Sequence, residues 1–199
     1  SWEASAGFFK ASVDVQRQLP AGQFVRWAGI GERLCTDSPN LAVAFFKASP
    51  DALTRLRPRY MEDWARLGRT LYRGTWKSST LSCRFYDLTP NLLQHLSFDE
   101  FSRFADLLAS ISLHSYDLAD QCLSDGIILF GQMGGEKETT ISTARTIADR
   151  SWRDIRKFFE ACSNSLVNLE VNYRSRFLSL TRKLMHADAI NPAEFMALG

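Results

Sequence analysis

Apolar side chains recur along this chain at intervals of three and four residues, which is the spacing of one face of an α-helix. One such stripe runs from Ala42 to Leu56 and contains the adjacent pair Phe45 and Phe46. The same pattern returns at residues 5–19, 82–96, 119–133 and 155–169. The repeat period is therefore about 37 residues. The pattern predicts that the rings of these stripes are buried between neighbouring helices: Phe45, Phe46, Phe85, Phe158 and Phe159.

A second helical stripe, rich in aromatic residues, precedes the later copies and contains Trp27 in one copy and Trp64 in the next. One repeat thus predicts two helices joined by a short loop. A single helical pair cannot bury its apolar face alone, so neighbouring pairs stack into a continuous core. We therefore predict an all-α fold, an α-solenoid of about five helical hairpins of the HEAT or tetratricopeptide type, in a single domain over residues 1–199.

Capping residues, prolines and glycines predict where individual helices begin and end. Ser97 followed by Glu100 forms a capping-box pattern at a helix start. Ser49-Pro50 and Thr89-Pro90 fall inside second helices, and a capping hydroxyl before proline predicts a kink or a break followed by a short third helix. The segment Gly131–Lys137 is predicted to be a loop and a hinge between two halves of the array.

The repeat register also predicts that the chain is a piece of a longer protein. Residues 1–19 match only the second helix of a unit, and the last copy breaks off at Phe195-Met196. Solenoids usually end in atypical repeats with a polar outer face, whereas this chain opens with Trp2 and Phe8-Phe9. The alternative is that these three aromatic residues fold over the first complete unit and seal it.

The amino-acid composition is typical of a folded domain that does not span a membrane. An apolar fraction of 45% and a charged fraction of 23% are ordinary for a folded domain, and no apolar stretch approaches the ~18 residues of a membrane helix. The four cysteines are too far apart for a Cys-x-x-Cys pair. Disulfides remain an alternative, but isolated cysteines in helical patterns are typical of buried thiols, which favours a reducing, cytoplasmic location.

The sequence contains no recognisable catalytic or cofactor-binding motif. Its three histidines are far apart, and no metalloprotease, hydrolase or dinucleotide-binding pattern is present. The glycine-rich segment 131–137 lacks the Gly-Lys-Ser/Thr sequence and the preceding strand of a phosphate-binding loop. We therefore expect neither an enzyme nor a protein with a bound metal or cofactor.

One basic helix face is a candidate binding surface. Residues 52–77 carry seven Lys or Arg against two acidic residues. Arg66, Arg69 and Arg73 lie on one ridge, where Glu62 is placed to pair with Arg66 at i,i+4. Trp76 follows in an insertion, and insertions in repeats often lie on a binding face. The alternatives are a solvated face for the arginines and cover of a junction between units for Trp76.

The units resemble the helical region that precedes the von Willebrand A domain in NorD/CoxE-like proteins, with the matching residues being Trp27, Gly31, Ala42, Phe45, Phe46, Ser49 and Pro50. That family works with MoxR-type AAA+ ATPases in the activation of metalloenzymes. The metal-binding Asp-x-Ser-x-Ser motif of the A domain is absent from this sequence, so no metal site is implied.

Two functions follow as expectations. The first is a non-catalytic protein–protein interaction scaffold, with the resemblance implying an adaptor for an AAA+ ATPase partner. The second is a nucleic-acid-binding helical-repeat protein, since a basic ridge also suits phosphates. We expect the protein-binding function, because no column of variable polar residues of the kind that reads bases recurs through the units.

Overall fold

The computed structural model of the protein describes residues 1–74, 79–166 and 168–186. These residues form helices and connecting segments, and none of them lies in a β-strand, which confirms the all-α prediction. The chain divides into two compact units, residues 1–94 and residues 95–199. The predicted hinge at 131–137 lies inside the second unit and stays a prediction.

The first unit contains five helices in its described part, the last of which reaches one residue past the unit boundary. These are α1 (Trp2–Gln18), α2 (Ala21–Asp37), α3 (Pro39–Leu53), α4 (Met61–Gly74) and α5 (Ser79–His95), with a short 3-10 helix at Pro58–Tyr60 before α4. Helix α1 packs along α3, α3 packs against α2, and α2 contacts α4.

The second unit is also helical throughout its described elements. They are α6 (Phe98–Ser112), α7 (Tyr116–Gln132), α8 (Lys137–Arg150), α9 (Ile155–Ala161) and α10 (Val171–His186), with a 3-10 helix at Trp152–Asp154 and a π-helical turn at Cys162–Leu166. Helix α8 packs against α6 and α10, while α7 packs against α6 and α9. The predicted capping box is confirmed at the start of α6, where the side chains of Ser97 and Glu100 each accept a backbone N–H.

A buried tryptophan is held by a hydroxyl at two places in the first unit. The indole Nε1 of Trp27 donates to Ser49 Oγ at 2.8 Å, and that hydroxyl donates to the carbonyl of Phe45 at 2.7 Å. Trp64 Nε1 donates in the same way to Thr89 Oγ1 at 3.0 Å. An indole N–H buried without an acceptor would be destabilising, and each hydroxyl supplies that acceptor.

Large rings lie directly against glycines in the facing helices. A Cβ at Gly31 would lie 1.9 Å from Cζ of Phe46, and a Cβ at Gly68 would lie 2.3 Å from Cζ of Tyr86. Both glycines are in the middle of helices, where glycine costs about 0.5–1 kcal/mol relative to alanine. Close packing of the aromatic ring is the reason that the structure needs them there.

The predicted core positions are confirmed. The rings of the second-helix stripes are buried, and these are Phe45, Phe46, Phe85, Phe158 and Phe159. The stripe spacing identified them correctly because residues three and four apart share one helix face.

The predicted break with a short third helix is wrong at both internal prolines, and the alternative, a kink without a break, stays a prediction. Helix α3 continues through Pro50 to Leu53, and α5 continues through Pro90 to His95. Proline removes one backbone N–H from the helix, but it does not unwind the turns on either side when they are packed. Ser49 and Thr89 therefore act as acceptors for tryptophan inside their helices rather than as caps of new ones.

The glycine-rich connection is shorter than predicted. Helix α7 includes Gly131 and Gln132, and α8 begins at Lys137, so only residues 133–136 lie outside helices. Gly131 packs against the ring of His95, and Lys137 Nζ donates to the carbonyl oxygen of His95 at 2.5 Å. These two contacts tie both ends of the connection to His95.

Candidate interaction surfaces

The basic ridge of α4 is largely paired with acids. The carboxylate of Asp37, the last residue of α2, accepts a hydrogen bond from Arg69 Nε at 2.5 Å. Its other oxygen lies 3.6 Å from Nη2 of Arg73. Arg66 lies 3.6 Å from Asp63 of its own helix. The ridge therefore offers less unbalanced positive charge than the sequence predicts. Trp76, the fourth residue of this candidate surface, lies outside the described residues.

The predicted pairing of Glu62 with Arg66 is wrong. Glu62 instead binds Arg26 of α2 at 2.8 Å and lies 3.5 Å from Arg33 of the same helix. The hydrogen bond from Arg26 is the main reason that the pKa of Glu62 is lowered. Local spacing allowed the i,i+4 pair, but the packing of α2 beside α4 brings two other arginines closer.

A groove of about 270 Å³ lies between α2 and α4, beside these ion pairs. Its lining combines apolar and charged side chains of the two helices: Ile30, Arg33, Leu34, Glu62, Asp63, Ala65, Arg66 and Arg69. Because both acids and arginines line it, the groove suits a partner with mixed charge better than a phosphate backbone.

Helix α1 has two opposite apolar faces, of which one is covered. Its buried face consists of Ala4, Ala11 and Val15, together with Gly7. A Cβ at Gly7 would lie 3.7 Å from Cα of Val43, so α1 approaches α3 closely along this small-residue face. Gln18 fixes the far end of α1, since its Nε2 donates to the carbonyl of Pro50 at 3.0 Å.

The other apolar face of α1 is exposed, and we call it the α1 stripe. It consists of Trp2, Ala6, Phe9 and Val13, which follow i, i+4, i+7 and i+11 spacing. Trp2 is 83% exposed and Phe9 is 70% exposed. Contiguous apolar residues on a helix surface are typical of a binding site, whereas isolated ones are common on any protein.

Phe9 and Phe46 occupy equivalent positions of the spacing pattern in the sequence but have opposite environments. Phe46 is only 5% exposed, because α1 and α2 cover it. Its ring centroid lies 5.5 Å from that of Phe8 and 5.0 Å from that of Trp27. In the part of the chain that the structure describes, Phe9 has no comparable cover. Of the opening aromatic residues, Phe8 packs inward, whereas Trp2 and Phe9 do not seal the first unit.

A groove of about 300 Å³ adjoins the α1 stripe between α1 and α2. Phe9, Gly31, Cys35 and Phe46 are among the residues that line it. In the predicted repeat the position of Cys35 corresponds to the larger Tyr72, which is nearly buried and donates its hydroxyl to the carbonyl of Asp37 at 3.1 Å.

The α1 stripe was not among the binding surfaces predicted from the sequence. The signal was present, because Trp2, Ala6, Phe9 and Val13 form a second apolar stripe beside the one that matches the other repeats. Its exposure depends on which helices lie next to α1, and spacing within one helix does not determine that.

Titratable side chains in the described residues do not form a metal-binding cluster, since no group of three or more His, Cys, Asp or Glu is suitably close among them. All four cysteines are free thiols, and Cys122 and Cys162 are buried. Burial raises the pKa of the Cys122 thiol to about 12 and raises the pKa of Cys162 as well. His114 stacks on Trp152 with a centroid distance of 5.8 Å.

No helix within the described ranges is long and apolar enough to cross a membrane. Comparison of the chain with known protein families, with characterised proteins and with solved structures found no match.

Proposed function

We propose that this protein is a non-catalytic protein–protein interaction scaffold, built as an α-solenoid of helical hairpins of about 37 residues. Two contacts that recur one repeat apart support the solenoid. The Trp27–Ser49 hydrogen bond has its counterpart in Trp64–Thr89, and the Gly31–Phe46 contact has its counterpart in Gly68–Tyr86. Repeated contacts of this kind are expected when each hairpin packs on the next in the same way.

The exposure of the α1 stripe is the observation that carries the binding function. At the next repeat the equivalent ring, Phe46, is buried between two helices, whereas Phe9 is exposed beside an open groove. Exposed aromatic side chains next to a pocket are the usual anchors of protein interfaces, because their burial removes much apolar area from water. We therefore place the principal contact at α1.

The arginine ridge is the second candidate surface, and Arg66 is its most informative residue. Arg69 and Arg73 are held by Asp37, so reversing their charge would also disturb the packing of α2 with α4. Arg66 is exposed and, among the described residues, pairs only with Asp63 of its own helix, at 3.6 Å, so reversing its charge breaks no contact between helices and costs little stability.

The identity of the partner rests on the resemblance to NorD/CoxE-like proteins, which favours a MoxR-type AAA+ ATPase. We place this function in the cytoplasm, because free and buried cysteines suit a reducing compartment. The pairing of acids with the arginines makes nucleic acid the less favoured partner, since a site for phosphates needs unbalanced positive charge.

Binding measurements with two purified probes test the proposal. A MoxR-type ATPase should bind the immobilised protein, and Phe9→Asp should weaken binding by about tenfold or more, the loss expected for an anchor residue. Arg66→Glu should have a smaller effect. A labelled single-stranded RNA should not bind specifically.

Two results would overturn the proposal. RNA binding whose affinity falls steeply between low and moderate salt would identify a nucleic-acid-binding protein instead. A folded Phe9→Asp variant that binds the ATPase as well as the unsubstituted protein would remove the α1 stripe from the interface.

A further inference from the structure

The exposed face of α1 carries large and small side chains in a regular order. Trp2, Ala6, Phe9 and Val13 are all exposed and follow one another at steps of four, three and four residues. Alternating steps of three and four residues are the spacing at which one helix packs along another in a coiled coil. Two such helices fit together best where a large side chain of one meets a smaller side chain of the other.

The α1 stripe is complementary to itself when it is read in the reverse direction. Against a second copy of α1 in antiparallel orientation, Phe9 faces Ala6 of that copy and Trp2 faces Val13. A two-fold axis repeats both contacts, so four layers form, each with one larger and one smaller side chain. In a parallel pair Phe9 would face Phe9 and Ala6 would face Ala6, which overfills one layer and leaves the next one empty.

Two charged side chains along one edge of the stripe follow the same symmetry. Glu3 and Lys10 are exposed and lie roughly 10 Å apart along the helix axis, too far to pair within α1. The other two charged side chains of the helix, Asp14 and Arg17, lie 3.6 Å from each other. Among the described residues no acid lies within ion-pair distance of Lys10. In the antiparallel arrangement, Glu3 of each copy comes beside Lys10 of the other, because these positions flank the same layers.

We propose that the α1 stripe binds a second copy of this chain, in a two-fold symmetric dimer whose α1 helices run antiparallel. A helix that covers the stripe must match both its order of sizes and its order of charges, and α1 itself supplies both. The inference goes beyond the proposed function, since self-association needs no other protein. Because both use the α1 stripe, the dimer and the ATPase complex exclude each other. One helix from each copy makes an interface below the ~1,200 Å² of a standard complex, so we expect a dissociation constant on the order of 10 µM.

Sedimentation velocity of the full chain tests the dimer. Between about 1 and 200 µM the protein should change reversibly from monomer to dimer. Phe9→Asp should weaken the dimer about a hundredfold or more, because each copy then places a charge among the apolar layers. Val25→Asp is the matched control, since Val25 is also 70% exposed but lies on α2, and it should leave the dimer unchanged. Circular dichroism at low concentration verifies that each variant is folded.

Exchange of charges tests the antiparallel pairing. Lys10→Glu brings like charges together at both edges of the dimer and should weaken it about tenfold, and Glu3→Lys should do the same. An equal mixture of these two variants should dimerise about as tightly as the unsubstituted protein, because opposite charges then face each other again at both contacts. Arg17→Glu is the control on the same edge. Arg17 lies beyond the four layers and beside Asp14 of its own helix, so this change should leave the dimer unchanged.

The outcomes separate the dimer from the scaffold function. A chain that stays monomeric throughout the concentration range overturns the inference, and so does a dimer that Phe9→Asp leaves intact. A mixture of the Lys10→Glu and Glu3→Lys variants that associates no more tightly than either variant alone overturns the antiparallel arrangement. None of these measurements contains the ATPase. A monomeric chain that binds the ATPase through Phe9 keeps the scaffold function without the dimer, whereas a Phe9-dependent dimer that binds no ATPase keeps the dimer without that function.

Discussion

The ring of Phe46 fills the space that a side chain at Gly31 would need, since a Cβ there would lie 1.9 Å from the ring carbon Cζ. Gly29, two residues earlier in α2, has only the flexible end of Arg33 within 4 Å. Gly31→Ala should therefore destabilise the protein by about 1–3 kcal/mol through overpacking. Gly29→Ala should stabilise it by about 0.5–1 kcal/mol, because alanine favours the helix. Urea unfolding measures both, and equal signs would contradict the packing at Gly31.

The tryptophan–hydroxyl contacts predict a coupled loss of stability. Thr89→Val keeps the shape of the side chain but leaves the buried Nε1–H of Trp64 without its acceptor, which should cost about 1–3 kcal/mol. Trp64→Phe removes the donor, so Thr89→Val should cost less in that background. A double-mutant cycle by chemical denaturation should give a coupling energy of about 0.5–3 kcal/mol. Additive effects would show that the hydrogen bond contributes no stability.

Core and surface phenylalanines should respond differently to truncation. Phe45→Ala and Phe158→Ala should each destabilise the protein by about 3–5 kcal/mol, because both rings are buried. Phe9→Ala should change stability by less than about 0.5 kcal/mol, because its ring is mostly exposed. Thermal unfolding compares the three variants. A loss from Phe9→Ala as large as the other two would mean that Phe9 belongs to the core.

Thiol reactivity should divide the cysteines into two classes. Burial raises the pKa of Cys122 from the ordinary value of 9.0 to about 12, and a shift of this size lowers the thiolate fraction about a thousandfold. Cys162 is buried in the same way, whereas Cys35 and Cys83 are only half-buried. Iodoacetamide should therefore modify Cys35 and Cys83 first, as followed by mass spectrometry. Early modification of Cys122 in the folded protein would contradict its burial.

Asp125 should make stability depend on pH. Burial, and then the nearby charge of Glu160, raise the pKa of Asp125, so its charged form is disfavoured in the folded state. Stability is then lost as pH rises through the folded pKa, and Asp125→Asn should be more stable than the unsubstituted protein at about pH 7, by on the order of a few tenths of a kcal/mol. The difference should vanish at about pH 3, where the carboxyl is protonated in both states. Urea titrations at the two pH values test this.

The helices and most of the core could be predicted because both depend on short-range periodicity. Phe45 and Phe158 were identified as buried from their place in a stripe, and Ser97 with Glu100 formed the predicted capping box. Each of these features involves residues within one or two turns of each other, so the local sequence contains the information.

Contacts between helices determined the features that the local sequence did not predict. Pro50 interrupts the backbone hydrogen bonding of α3, yet packing keeps the helix continuous to Leu53. Glu62 pairs with Arg26 across two helices rather than with Arg66 on its own helix.

Phe9 and Phe46 show most directly which properties depend on local sequence and which depend on contacts between helices. The sequence by itself determined that Phe9 and Phe46 are equivalent positions in helices of the same type, because the spacing around them is the same. Only the tertiary structure decided that Phe46 is buried and Phe9 is exposed, because burial depends on the neighbouring helix. Helices α1 and α2 cover Phe46. None of the described helices covers Phe9 in the same way.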